Sequence, residues 1–242
     1  MKKTSYFAIW LLLSLTLILC SCTTINNAQQ SDGGEATETD TTPLFTSYSR
    51  FVDKKSNRFG KFTQKVYSSK DLALSVGGEL LSLSAIDLEF LPLSLLQNAE
   101  KAGGVFSGNA KGYFNCLVTI NGDNFVIEYT TFSEKREKIS GSFSSQNGYM
   151  SCTKTVDEKD IVSMEYRTYG EGYFAQYINY DKGSSMRLRF NDEEAELSIV
   201  DGREYITLSS IEDDRPLNDS NLFIREKDGK LYATVGEKEI LA

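Results

Sequence analysis

The chain has 242 residues, with 26 Lys and Arg against 34 Asp and Glu, no His, and a net charge of −8. The acidic balance argues against nucleic acid as a partner and against electrostatic docking onto anionic lipid. The lack of His excludes Ser-His-Asp and Cys-His catalysis and any imidazole zinc site.

The N-terminus reads in three parts. Lys2 and Lys3 form a short positive segment, and Ile9 to Leu19 is an apolar run of 11 residues. That length fits the apolar region of a signal peptide and falls short of the ~20 residues a permanent span needs. No second run of about 20 apolar residues follows. The segment closes on Leu19-Cys20-Ser21-Cys22.

Leu19-Cys20-Ser21-Cys22 resembles the lipobox of bacterial lipoproteins, Leu-small-small-Cys. The resemblance covers residues 1–22 only. It implies cleavage after Ser21, a diacylglyceryl group on the Cys22 thiol and acylation of the new N-terminus. Cys20 is the rival site, but Leu19 before it is bulkier than the family pattern allows. Membrane attachment through the lipid on Cys22 is thereby implied. Two or more acyl chains hold a protein stably, at roughly 0.8 kcal/mol per buried CH2. Thr23 follows the Cys; in an organism with two membranes, the family's sorting rule then implies the outer one.

Thr23 to Pro43 contains one large apolar residue, Ile25, and only acidic charges. It cannot bury enough apolar surface to offset its ordering entropy and reads as a tether, with a reach of roughly 25 Å as a flexible coil. The chain therefore divides into a signal peptide (1–21), a lipidated Cys with an acidic tether (22–43) and a single β-rich domain (44–242). Without residues 1–21 the balance is 24 basic against 34 acidic, a net of −10.

Residues 71–104 are ambiguous. Leu72, Leu74 and Val76 alternate before Gly77-Gly78, which reads as a hairpin; the alternative is a Leu-rich helix that carries two costly glycines. A helix is expected from Pro92 to Ala102. Pro92 opens it, Gly103-Gly104 stops it, and Leu93, Leu96 and Ala99 share one face. The Gly-rich stretch 103–112 has Asn109 where a phosphate loop requires Lys, so it reads as a flexible connection.

From Lys111 onward the chain reads as an antiparallel meander of about eleven strands. Asn121-Gly122, Asn147-Gly148, Asp201-Gly202 and Asp228-Gly229 are hairpin-type turns. Between them apolar residues alternate with polar ones. Met186, Leu188 and Phe190 alternate with Arg187 and Arg189, and Leu197 and Ile199 with Glu196 and Ser198. This pattern predicts one buried and one solvated face. The fold class is mainly β, either a sandwich or a curled half-barrel, with one or two short helices near 71–102. The curled version resembles, in architecture alone, the half-barrel lipoprotein-carrier fold, which implies an apolar cavity behind the sheet.

Chemistry is sparse. Ser151-Cys152-Thr153-Lys154 matches the Ser-x-x-Lys of penicillin-binding enzymes, but it lies on an expected strand and lacks the partner motifs. The acidic segment 212–221 matches no EF-hand spacing. Cys116 and Cys152 permit one disulfide; two buried free thiols are the alternative. Tyr166, Tyr169, Tyr173, Tyr177 and Tyr180 form the best contact-surface candidate, although aromatics are also ordinary strand residues. The sequence thus points to a non-enzymatic binding or structural lipoprotein without metal or cofactor. Its alternatives are a carrier of a lipid or other apolar ligand, and an adhesin or protein-interaction module built on the Tyr-rich strands.

Overall fold

The computed structural model describes residues 43–202, 208, 220–236 and 238–241. The signal peptide, Cys22, the tether up to residue 42 and most of segment 212–221 lie outside the described residues.

Helix α1 spans Leu44–Ser68. Leu44, Tyr48, Phe51, Lys55, Phe59, Phe62 and Val66 are buried along it, a spacing of three and four that lays one stripe on the core. Helix α2 spans Lys70–Glu89 and replaces the hairpin expected at Gly77-Gly78. The glycines cost about 1 kcal/mol each in a helix. Burying Leu72, Val76, Leu80, Leu83 and Ile86 contributes roughly 1.5–3 kcal/mol per side chain and outweighs that cost. Gly77 also has a packing role. A Cβ there would lie 3.2 Å from Tyr67 Cε1, and the Tyr67 hydroxyl donates to the Gly77 carbonyl at 3.2 Å.

The helix expected at Pro92–Ala102 is present as a 3-10 turn, Leu91–Leu95, running into α3, Leu96–Lys101. Its stop is a Schellman motif. Gly103 has φ +78 and donates to Glu100 O at 3.2 Å, while Gly104 donates to Ala99 O at 2.8 Å.

Twelve strands follow: β1 Val105–Ala110, β2 Tyr113–Asn121, β3 Asn124–Thr130, β4 Arg136–Ser144, β5 Tyr149–Val156, β6 Lys159–Tyr169, β7 Gly172–Asn179, β8 Ser184–Phe190, β9 Ala195–Asp201, β10 Leu222–Lys227, β11 Lys230–Val235 and β12 Lys238–Leu241. Each pairs antiparallel with the next in one open sheet, so the two-sheet sandwich is not the arrangement adopted. The stretch expected to be a flexible connection is β1, which pairs with β2 through a register shift at Gly108/Ala110. Asp228-Gly229 forms the anticipated two-residue turn, with φ +51 and +76. Asp201-Gly202 does not close a hairpin. The strand that pairs with β9 next is β10, where Leu222 lies opposite Ile199.

A sheet this wide curls instead of lying flat. Inward residues from β2 to β11 join α1 and α2 in one packed cluster, so the helices fill the concave side. Phe51 stacks on Tyr166 at 4.2 Å between ring centroids, and Phe59 meets Phe190 edge-on at 5.5 Å. Buried cations tie helix to sheet within this interior. Lys55 of α1 pairs with Asp87 of α2 and donates to the Tyr177 hydroxyl at 2.8 Å. Burial holds the Lys55 ammonium below the usual lysine range, although Asp87 pulls the other way. Lys154 of β5 pairs with Glu89 and Glu137, each at 2.6 Å. Arg58 and Lys65 both reach Glu226 on β10.

The outer face departs from expectation. Glu165, Gln176, Ser185, Arg187, Arg189, Glu196 and Ser198 alternate with the core residues of β6–β9, yet all are buried. Arg187 is only 1% exposed. Strands β7, β8 and β9 are therefore buried on both faces. Leu208, from the connection between β9 and β10, packs on Phe174 with Tyr169 and Phe223 around it.

Candidate functional site

An open groove of about 660 Å3 lies at one flank of α1. Helical periodicity builds one wall. Arg50, Lys54, Asn57, Arg58 and Lys61 recur at three- and four-residue intervals and so share a side of the helix. Turns build the other wall: Gly170-Glu171 between β6 and β7, and Asp192 between β8 and β9. Tyr173 forms the floor, backed by Phe51 at 5.3 Å and Phe190 at 5.8 Å.

Gly172 fixes this corner. A Cβ there would lie 1.9 Å from Phe190 O, inside the backbone of the neighbouring strand, so only glycine fits. Lys54 spans the groove; it donates to the Glu171 carbonyl and pairs with Asp192 at 3.4 Å. Arg58 Nε donates to Asn191 O at 3.1 Å, and its Nη2 serves both Glu193 O at 3.3 Å and the Glu226 carboxylate. Burial alone pushes the Glu226 carboxyl up, but Lys65 and Arg58 outweigh it and hold the group below the usual carboxylate range. Burial likewise raises the Tyr173 phenol, against the pull of Arg50. Arg50, Lys61, Asp53 and Glu171 present side chains of both signs that make no ion pair among the described residues. The groove thus offers cations, carboxylates and one aromatic floor, which suits a polar ligand with charges of both signs.

The buried outer face forms transverse rows. Glu165, Gln176, Arg187 and Ser198 are register neighbours across β6–β9. In the next row Phe174 lies between Arg167 and Arg189, whose guanidinium carbons sit 4.9 and 5.8 Å from its ring centre. Arg189 pairs with Glu196 at 2.6 Å, and Arg225 pairs with Glu196 and Glu194. Tyr149 donates to Glu165 at 2.6 Å. Among the described residues the Oγ atoms of Ser185 and Ser198 and one oxygen of Glu196 are buried without a hydrogen-bond partner. Among the described residues, no three His, Cys, Asp or Glu side chains gather as a metal site.

No family model, curated protein or solved structure matches the chain.

The proposed tyrosine surface is not one surface. Tyr166, Tyr173 and Tyr177 point inward and are buried against α1, because they share the inward phase of β6 and β7. Tyr169 and Tyr180 take the other phase and are half-buried on the outer face. Only Tyr173 touches the groove. The disulfide is also corrected: Cys116 and Cys152 are free and buried. They sit on β2 and β5, three strand spacings and thus at least roughly 14 Å apart, which exceeds the reach of a disulfide. Burial pushes both thiols up, leaving them as inert core residues. Ser151-Cys152-Thr153-Lys154 lies within β5, and Lys154 is committed to Glu89 and Glu137. The cationic wall of the groove went unread in the sequence. Its signal was the recurrence of Arg50, Lys54, Arg58 and Lys61 along one side of a helix.

Proposed function

We propose that this chain is an exported protein, anchored to a membrane through lipid on Cys22, whose body works by binding and not by catalysis. The groove between α1 and the β6–β7 turn is its ligand site, and the ligand is a small polar molecule or peptide end carrying charges of both signs. The observation that carries this reading is the pairing of a filled interior with an open, mixed-charge groove. Carriage of an apolar ligand behind the sheet would need the space that α1 and α2 occupy. An adhesive tyrosine face would need Tyr166 and Tyr177 outside the core.

The test is titration of the mature chain carrying Cys22→Ser with free amino acids and short peptides, followed by amide chemical shifts. The reading predicts saturable shifts confined to residues 50–61, 168–173 and 190–193, lost in Arg50→Glu combined with Lys61→Glu. Shifts elsewhere, or none with any probe, would contradict it.

A further inference from the structure

The charged groups of the groove divide into those that hold the fold and those left over. Lys54 is tied to the Glu171 carbonyl and to Asp192, and Arg58 to Asn191, Glu193 and Glu226. The side chains of Arg50, Asp53, Lys61 and Glu171 line the same groove and make no hydrogen bond or ion pair among the described residues. Two unpaired cations therefore share the groove with two unpaired carboxylates.

Tyr173 adds a neutral donor. The residue is only 9% exposed, and its ring is held among Phe51, Tyr166 and Phe190 at 5.3, 5.9 and 5.8 Å between centroids. Its hydroxyl has no hydrogen-bond partner among the described residues, yet it is not sealed in the core as the orphaned oxygens of Ser185 and Ser198 are. It opens on the groove that the residue lines. Packing has already fixed this donor, so a ligand that accepts from it loses little in ordering it. Arg50 stands beside it. The next residue, Phe51, packs on the Tyr173 ring, and the Arg50 charge acts on the phenol. Burial outweighs that pull and keeps the phenol protonated, so it remains a donor at neutral pH.

Asp53 follows Arg50 by three residues on α1, roughly 5–6 Å away between Cβ atoms. A receptor for a carboxylate and a receptor for an ammonium thus stand one helical turn apart. We infer that this end of the groove takes the head group of a free α-amino acid, its carboxylate on Arg50 and the Tyr173 hydroxyl and its ammonium on Asp53. The inference rests on reading the groove as a ligand site and narrows that reading. The two charges of an α-amino acid are one carbon apart, which fits receptors one turn apart. Arg meets a carboxylate with a planar fork of donors, and a hydroxyl can add a third. A peptide end carries only one of the two charges and leaves Arg50 or Asp53 unmatched. A phosphate ester brings excess negative charge toward Asp53 and Glu171, and like charges at close range repel. Lys61 lies roughly 16 Å further along α1, beyond the reach of the head group.

The experiment is titration of the Cys22→Ser mature chain with each of the twenty common amino acids, with trialanine and with inorganic phosphate, followed by amide chemical shifts. The tightest-binding amino acid is then compared with its carboxamide and its N-acetyl derivative. Blocking either end is expected to weaken binding about tenfold or more. Tyr173→Phe keeps the ring and removes only the hydroxyl. It is expected to weaken the free amino acid about tenfold and the carboxamide by about twofold or less. Asp53→Asn is expected to weaken the free amino acid in the same way and to leave the N-acetyl derivative unchanged. Lys61→Gln is expected to change neither. Equal affinity for the amino acid and both derivatives, tighter binding of trialanine or phosphate than of any amino acid, or unchanged affinity in Tyr173→Phe would overturn the inference and leave the groove as a ligand site. A chain that shifts with none of these probes would overturn the groove reading together with this one.

Discussion

Across β7–β9 the two faces of the sheet are both buried, but by different chemistry. The inner face is an aromatic and aliphatic core closed by α1 and α2, pinned by a few cations at its edges. The outer face of β6–β10 is a lattice of Arg, Glu, Gln and Ser around Phe174. The comparison teaches that alternation reports polarity and not exposure. Polar residues on one phase of a strand mean solvent only when nothing else lies over them. The two faces should also respond differently to substitution. Large apolar truncations should hurt the inner face most, and loss of one charge should hurt the outer face most.

The largest effect is expected at Phe62, fully buried on α1. Phe62→Ala should cost about 3–5 kcal/mol in denaturant unfolding through the cavity it leaves. A loss under 1 kcal/mol would mean that the helices do not fill the concave side.

Next comes Glu226, which holds Arg58 and Lys65. Glu226→Gln should cost about 2–3 kcal/mol at neutral pH. Its carboxyl is held below the unfolded value of ~4.3, so its contribution is fully present above that pH and fades as pH falls through the lower folded value. Stability curves of the variant and the parent should therefore converge toward acid. Curves that stay parallel would show that the ion pairs contribute nothing.

On the outer face, a double-mutant cycle of Arg189→Met and Glu196→Met should give a coupling of about 2 kcal/mol. The exposed pair Arg136–Glu128 should give about 0.5 kcal/mol or less in the same assay. Equal couplings would contradict burial of the outer face. The smallest effect belongs to Ser198→Ala. It removes a buried hydroxyl without a partner and should stabilise by a few tenths of a kcal/mol.

Much of the sheet was legible. The turn dipeptides and the alternation placed the strands after Lys111 and their inward phase, as at Val162, Met164 and Tyr166. Asp157-Glu158 was not legible as a turn, because two non-glycine residues adopt φ +50 and +65 there under pressure from the flanking pairs. The helical hairpin was the main miss. α1 carries the 3.6-residue signal openly, with Tyr48, Phe51, Phe59, Phe62 and Val66 on one stripe, but Lys55 and Arg58 interrupt it because the Asp87 and Glu226 carboxylates receive them. α2 hides its period by carrying leucine on both sides, so the Leu72-Leu74-Val76 fragment mimics a strand. The groove could not be read as a site, since its walls come from segments more than a hundred residues apart and meet only through the fold.

The groove serves its proposed role only if the body is held where its ligand is. The most direct test of the account is therefore the distribution of the full chain between membrane and soluble fractions, with and without Cys22→Ser. The account predicts that the parent sediments with membranes and takes up labelled lipid precursor, and that the variant does neither. A variant that stays in the membrane fraction, or a parent that takes up no lipid, would contradict it.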